Sequence, residues 1–154
     1  MKYFQYSWFI WFLTLYFRYK IEIRITPFYQ AMFVKQNVSK REYQLQRLAS
    51  SYVNVPTIID YNPKTKVMTM EKLGMNIADM YGNDVPAYLF EEMQQIIRTL
   101  FEQGIYYPDI TGYNFIESEK GVYLIDFGHA SQKVIDPFIY DFMNGQCKWN
   151  PRFK

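Results

Sequence analysis

Between Tyr107 and Ala130 the chain reads Y-P-D-I-T-G-Y-N-F-I-E-S-E-K-G-V-Y-L-I-D-F-G-H-A, and few folds have a use for that order of residues. A carboxylate, Asp109, is followed five residues later by an amide, Asn114, and twelve beyond that by a second carboxylate, Asp126. Asn114 opens the apolar pair Phe115-Ile116. The polar stretch Glu117 to Gly121 reads as a turn, and Val122 to Ile125 as the returning strand, which delivers Asp126 into a turn carrying Gly128. Such a hairpin brings Asn114, at the start of one strand, to the same edge as Asp126, at the end of its partner. An amide oxygen and a carboxylate at one edge suit a hard divalent cation such as Mg²⁺, which keeps several waters and takes few protein ligands. Asp109, on the loop just before, is placed to face a substrate hydroxyl. The bland alternative is a hairpin of an unrelated α+β domain in which Asp and Asn merely form turns.

D-x4-N, a strand pair and then D-F-G resembles the catalytic and metal-binding loops of the protein-kinase superfamily. Either motif alone is weakly specific; the two at this spacing, with apolar strands between them, are much more so. The resemblance implies a two-lobed α+β fold with a reduced antiparallel sheet ahead of a hinge and a truncated helical lobe after it. It also implies ATP and Mg²⁺ as cofactors, Asp109 as the catalytic carboxylate, and Asn114 and Asp126 as metal ligands.

Composition narrows the alternatives. With 49% hydrophobic and 21% charged residues the 154-residue chain is globular and of about one domain. A net charge of +2, with Lys and Arg scattered, leaves no nucleic-acid footprint. The single cysteine, Cys147, excludes an intrachain disulfide and fits a reducing, cytoplasmic setting. One His and one Cys do not make a structural zinc site.

Residues 1–18 form an aromatic segment without a placement in the kinase-like domain expected over 19–154. The apolar centre of that segment, Trp8 to Leu13, is far short of the roughly 20 residues that span a bilayer, so a buried strand or docking segment is favoured over membrane contact through Tyr3 to Phe17. Tyr19 to Ile25 alternates as a half-buried strand, and Tyr29 to Lys35 reads as its hairpin partner. Lys35 resembles the strand lysine of V-A-I-K that reaches the α- and β-phosphates. Ser39 caps a helix with Tyr43, Leu45, Leu48 and Ala49 available for burial. Glu42 has two readings: the carboxylate of a capping box with Ser39, or the acidic partner of Lys35. A second hairpin, Val55 to Ile59 and Lys66 to Met70, turns at Asp60 to Thr65. Met70-Glu71-Lys72-Leu73-Gly74 reads either as a strand ending at a Gly turn or, by resemblance, as the hinge. In the hinge register Met70 is the gatekeeper and the Glu71 carbonyl and Leu73 amide meet adenine; Ile116 joins these nucleotide-binding positions. Gly74 to Gly82 is a short helix, and the longest helix, Val85 to Gln103, takes Asp84 as its cap and stops at Gly104. A last helix is expected over Phe138 to Met143.

Three departures from protein kinases bear on function. Tyr107-Pro108 stands where they have His-Arg, so docking of a phosphorylated activation loop is not expected. The first glycine is Gly74, so no glycine-rich phosphate loop precedes Lys35. No A-P-E follows Gly128, and a peptide-docking platform of helices does not fit in the remaining residues. The pattern is closer to minimal and atypical kinases of the RIO and Bud32 type, sugar kinases and aminoglycoside phosphotransferases, and to short kinase-like proteins of large DNA viruses. Three functions remain open: a phosphotransferase acting on Ser/Thr of a protein, a pseudokinase that binds a protein partner, and a kinase for a sugar or other small molecule.

Overall fold

The computed structural model describes residues 32–153. The aromatic segment Tyr3 to Phe17 and the strand expected over Tyr19 to Ile25 lie outside the described residues. What is described has the reduced two-lobed α+β kinase-like architecture that the motifs imply: a small sheet and one helix, then a helical portion that carries a separate hairpin.

The sheet has the order β1-β3-β2, from β1 (Met32–Lys35), β2 (Ile58–Asn62) and β3 (Val67–Glu71). β2 and β3 are antiparallel, with Ile58 opposite Met70 and Asn62 opposite Val67. Both strands lie further along the chain than their sequence pattern suggests. Val55 is buried in the main core and the Pro56 carbonyl accepts from Gln46 Nε2 at 3.1 Å, so neither is free to join the ladder. At the turn, Asn62 Oδ1 accepts from the amides of Lys64 and Thr65 and Lys66 adopts φ 56°, which moves the reversal past Asp60.

Helix α1 (Lys40–Ala49) starts where Ser39 predicts, with Ser39 Oγ accepting from the Glu42 amide at 3.0 Å. Its buried face is Glu42, Leu45, Gln46 and Ala49, whereas Leu48, expected inside, is 38% exposed. The face turns because two polar side chains have partners inward: Glu42 binds Lys35 and Gln46 binds Pro56. α2 (Ile77–Tyr81) is capped by Asn76, whose Oδ1 accepts from the Asp79 amide.

The pillar helix α3 (Ala87–Glu102) begins two residues later than expected. Asp84 does not cap it: its amide closes the preceding turn onto the Tyr81 carbonyl, and the extended Pro86 stands at the cap position instead. Leu89, Met93, Ile96, Ile97 and Leu100 bury one stripe, and Gly104 at φ 70° ends the run. A 3₁₀ turn (Gly112–Asn114) leads into the hairpin β4 (Phe115–Ser118) and β5 (Gly121–Leu124), paired from Phe115–Leu124 to Ser118–Gly121. α4 (Phe138–Met143) packs against α3.

Two cores result. The larger gathers the α3 stripe with Tyr107, Ile110, Phe115, Leu124, Phe127 and Phe142, and Leu45 and Ala49 of α1 belong to it. The smaller, Val38, Met68 and Met70, lies under the three-stranded sheet and is closed by Tyr43 stacked on Tyr61 at 4.4 Å. Because Ile97 is 1% exposed at the centre of the larger core, Ile97→Ala should lower stability by about 2–5 kcal/mol. Equilibrium urea unfolding checks this.

Candidate functional site

Lys35, at the end of β1, sends its ammonium to two carboxylates. Nζ lies 2.6 Å from Glu42 Oε1 and 2.7 Å from Asp126 Oδ1. β1, α1 and the turn after β5 therefore meet at one charged point. Both sequence readings of Glu42 contain part of what is seen: its amide takes the Ser39 cap, while its carboxylate, 6% exposed, goes to Lys35. Burial by itself would lower the pKa of Lys35, but the hydrogen bonds it donates to Asp126 and Glu42, and their charges, more than offset it, so the value is raised and the ammonium is the resident form. For Asp126, burial would raise the pKa; the hydrogen bond and charge of Lys35, then the Gly128 amide and His129, outweigh it and hold the carboxyl below its ordinary value.

The backbone around Asp126 is strained into place. Asp126 has φ 60°, an uncommon conformation for a residue with a side chain. Its Oδ1 accepts from the Gly128 amide at 3.1 Å, and a Cβ on Gly128 would stand 3.1 Å from that oxygen. The buried Tyr107 hydroxyl donates to the Ile125 carbonyl at 2.7 Å and to the Asp126 carbonyl at 3.0 Å. Burial, then the charges of Asp109, Asp126 and Glu42, push the Tyr107 pKa well up, so the phenol keeps its donor proton. From the other side Arg41 Nη2 donates to the Gly128 carbonyl at 2.9 Å.

Asn114 stands beside this turn because the Ile125 amide donates to its carbonyl at 2.9 Å. Its side-chain Nδ2 donates to the Asp109 carbonyl at 2.9 Å, which fixes the amide and leaves Oδ1 as the acceptor end. Gly112 lets the 3₁₀ turn pack on α2, since a Cβ there would meet Ala78 Cβ at 3.0 Å. Asp109 Oδ2 lies 3.0 Å from His129 Nδ1.

A cleft of about 370 Å³ opens between the sheet and the hairpin. Lys35, Met70, Glu71, Leu73, Ile116 and Asp126 all line it, whereas Asp109 and Asn114 do not. The Glu71 carboxylate is turned aside to the Thr57 amide and hydroxyl, so the strand offers the cleft its main chain. Phe33, Gln46 and Pro56 complete the wall, none of them singled out by sequence; nor were His129, Arg41 and the Tyr107 hydroxyl. Only His129 had a signal, its place directly after D-F-G.

Comparison with known proteins identifies the family. A family profile described as RIO domain matches residues 18–144, most of the chain. The chain belongs to the RIO domain family. It is thus a member of a protein-kinase-like, atypical kinase family. It is also similar to the KEOPS complex subunit Bud32 of Pyrococcus abyssi (strain GE5 / Orsay), with 30% identity over 132 residues. That match covers 77% of this chain and 60% of the relative, so the chain spans about three-fifths of the length of the curated protein it matches.

Among the described residues no cluster of three or more His, Cys, Asp or Glu side chains is placed to hold a metal, and no helix is long and apolar enough to cross a membrane. A cation held mainly by water and phosphate needs fewer protein ligands than such a cluster supplies.

Two measurements follow from the charged cluster. In a double-mutant cycle, Lys35→Met and Glu42→Gln should show a coupling of about 1–3 kcal/mol by urea unfolding, because each single change strands a partly buried charge or its partner. The lowered pKa of Asp126 contributes stability above the ordinary carboxylate range and is lost as pH falls through the folded value. The urea midpoint should therefore fall less steeply between about pH 5 and pH 2 in Asp126→Asn than in the parent protein.

Proposed function

We propose that this chain is an ATP- and Mg²⁺-dependent phosphotransferase that moves the γ-phosphoryl group to a serine or threonine hydroxyl of a protein. The observation that carries the reading is the Lys35 ammonium set between Glu42 and Asp126, with Lys35 and Asp126 lining the same cleft as Met70 to Gly74. In this reading residues 19–70 form the first lobe, 70–74 the hinge and 75–154 the second lobe. Adenine lies between Ile116 and the hinge, against the Glu71 carbonyl and the Leu73 amide, with Met70 behind it. Lys35 holds the α- and β-phosphates, kept in place by Glu42. Asp126 and Asn114 Oδ1 would hold Mg²⁺, which would supply neutralisation of the phosphate charge. Asp109 orients the acceptor hydroxyl and takes its proton. The hydroxyl oxygen bonds to the γ-phosphorus as the bond from that phosphorus to the bridging oxygen breaks, and ADP leaves with the electron pair. Positioning and charge neutralisation supply the rate, since the protein makes no covalent bond to the phosphoryl group.

A second reading, a module that acts by binding a protein partner, is favoured by the name of the relative, which is a subunit of a complex. The two separate on one assay. Transfer from γ-labelled ATP with Mg²⁺, to the protein itself and to a generic protein acceptor, should occur in the parent. It should fall at least about 100-fold in both Asp109→Ala and Asp126→Ala. Mg·ATP binding, followed by calorimetry, should survive in Asp109→Ala and be lost in Asp126→Ala. Absence of transfer from a folded parent that still binds Mg·ATP would replace the first reading with the second. Transfer to small hydroxyl compounds alone would move the acceptor from proteins to that class.

A further inference from the structure

Asp109 is held in a way the motifs do not account for. The segment Trp149 to Phe153 lies beyond residues 18–144, which the family profile matches, yet it runs along the loop that carries Asp109. Asn150 is 1% exposed, one of the few buried polar residues among those described. Its side-chain Nδ2 donates to the Pro108 carbonyl at 2.8 Å and its amide donates to the Ile110 carbonyl at 2.9 Å. These are the residues immediately before and after Asp109. Its remaining polar groups are used within the segment: Oδ1 accepts from the Arg152 amide and the carbonyl from the Phe153 amide. A buried amide with every polar group satisfied has one conformation, because any other strands a donor or acceptor away from water.

The same segment also touches the side chain that bonds the Asp109 carboxylate. The Phe153 ring packs on the His129 ring, centroids 5.0 Å apart, and His129 Nδ1 bonds Asp109 Oδ2 at 3.0 Å. The segment is itself anchored. Trp149 packs on Phe90 of α3 at 4.9 Å, and Arg152 pairs with Asp136 just ahead of α4.

We propose that Asn150 is a positioning residue for Asp109: it clamps the main chain on both sides of that carboxylate, while Phe153 steadies the His129 ring that orients it. The inference rests on the proposed phosphotransferase reading. A five-residue segment pinned by one buried asparagine supplies the rigidity that the Asp109 loop needs.

Two variants test this. Asn150→Asp keeps the size, the main-chain amide and an acceptor for Arg152 but removes the donor to Pro108. Phe153→Ala strips the ring from His129 at the edge of the fold and leaves Asn150 alone. In Asn150→Asp, kcat for transfer from Mg·ATP should fall about 10- to 100-fold, the scale of a misplaced catalytic group. Kd for Mg·ATP should stay within about twofold, because the cleft residues are untouched. Phe153→Ala should show a smaller fall of the same kind. Unchanged kcat in both, or loss of kcat in step with loss of ATP affinity, would overturn the proposal. If the parent transfers no phosphate, the phosphotransferase reading fails and amide hydrogen exchange tests the clamp by itself. Exchange at Ile110 and Thr111 that quickens in either variant while Leu100 in α3 is unchanged supports it. Exchange unchanged at the loop, or quickened equally at Leu100, sinks it.

Discussion

One ammonium between two carboxylates holds the working parts of this protein together. Lys35, Glu42 and Asp126 come from a strand, the helix that follows it and a turn far along the chain, and contacts of 2.6 and 2.7 Å draw them to a point. Partial burial makes this arrangement costly for any member left alone. With all three present, the cluster carries a net negative charge and a lysine already fixed in direction. A polyphosphate brought in with a cation could share that lysine, whereas a bare polyphosphate would meet two carboxylates.

The rest of the site is backbone engineering around that point. Asp126 sits at φ 60°, and three hydrogen-bond donors hold its surroundings there: the Tyr107 hydroxyl, the Gly128 amide and the Arg41 guanidinium. Tyr107 occupies a position where protein kinases have histidine, and its buried phenol ties the loop before Asp109 to the turn at Asp126. Asn114 ties the same two segments again, through its side-chain amide to Asp109 and its carbonyl to Ile125. These ties are short and mostly run from particular side chains to main-chain carbonyls.

Family membership and geometry agree on the kind of machine and leave room for what is particular to this chain. No glycine precedes Gly74, and the aromatic Phe33 stands on the cleft wall. Side chains of β1, Phe33 and Lys35, form part of that wall. At the far end, Trp149 to Phe153 braces the loop of Asp109 from outside the family's matched span.

The sequence by itself determined the local pieces. The spacing of Asp109, Asn114 and Asp126 dictated a loop and a hairpin, Ser39 fixed the start of α1, and the apolar stripe from Leu89 to Leu100 fixed α3, because each depends on neighbours a few residues away. Strand limits and helix faces were less legible where a distant partner competed: Pro56 and Val55 left β2 for other contacts, and Glu42 and Gln46 turned α1 away from Leu48. Only the tertiary structure decided that Glu42 reaches Lys35 as well as lending its amide to Ser39, and that His129 and Asn150 attend Asp109. Those contacts span 7, 20 and about 40 residues, and no periodicity records them. They exist because a buried charge or amide must find its partner wherever packing puts one.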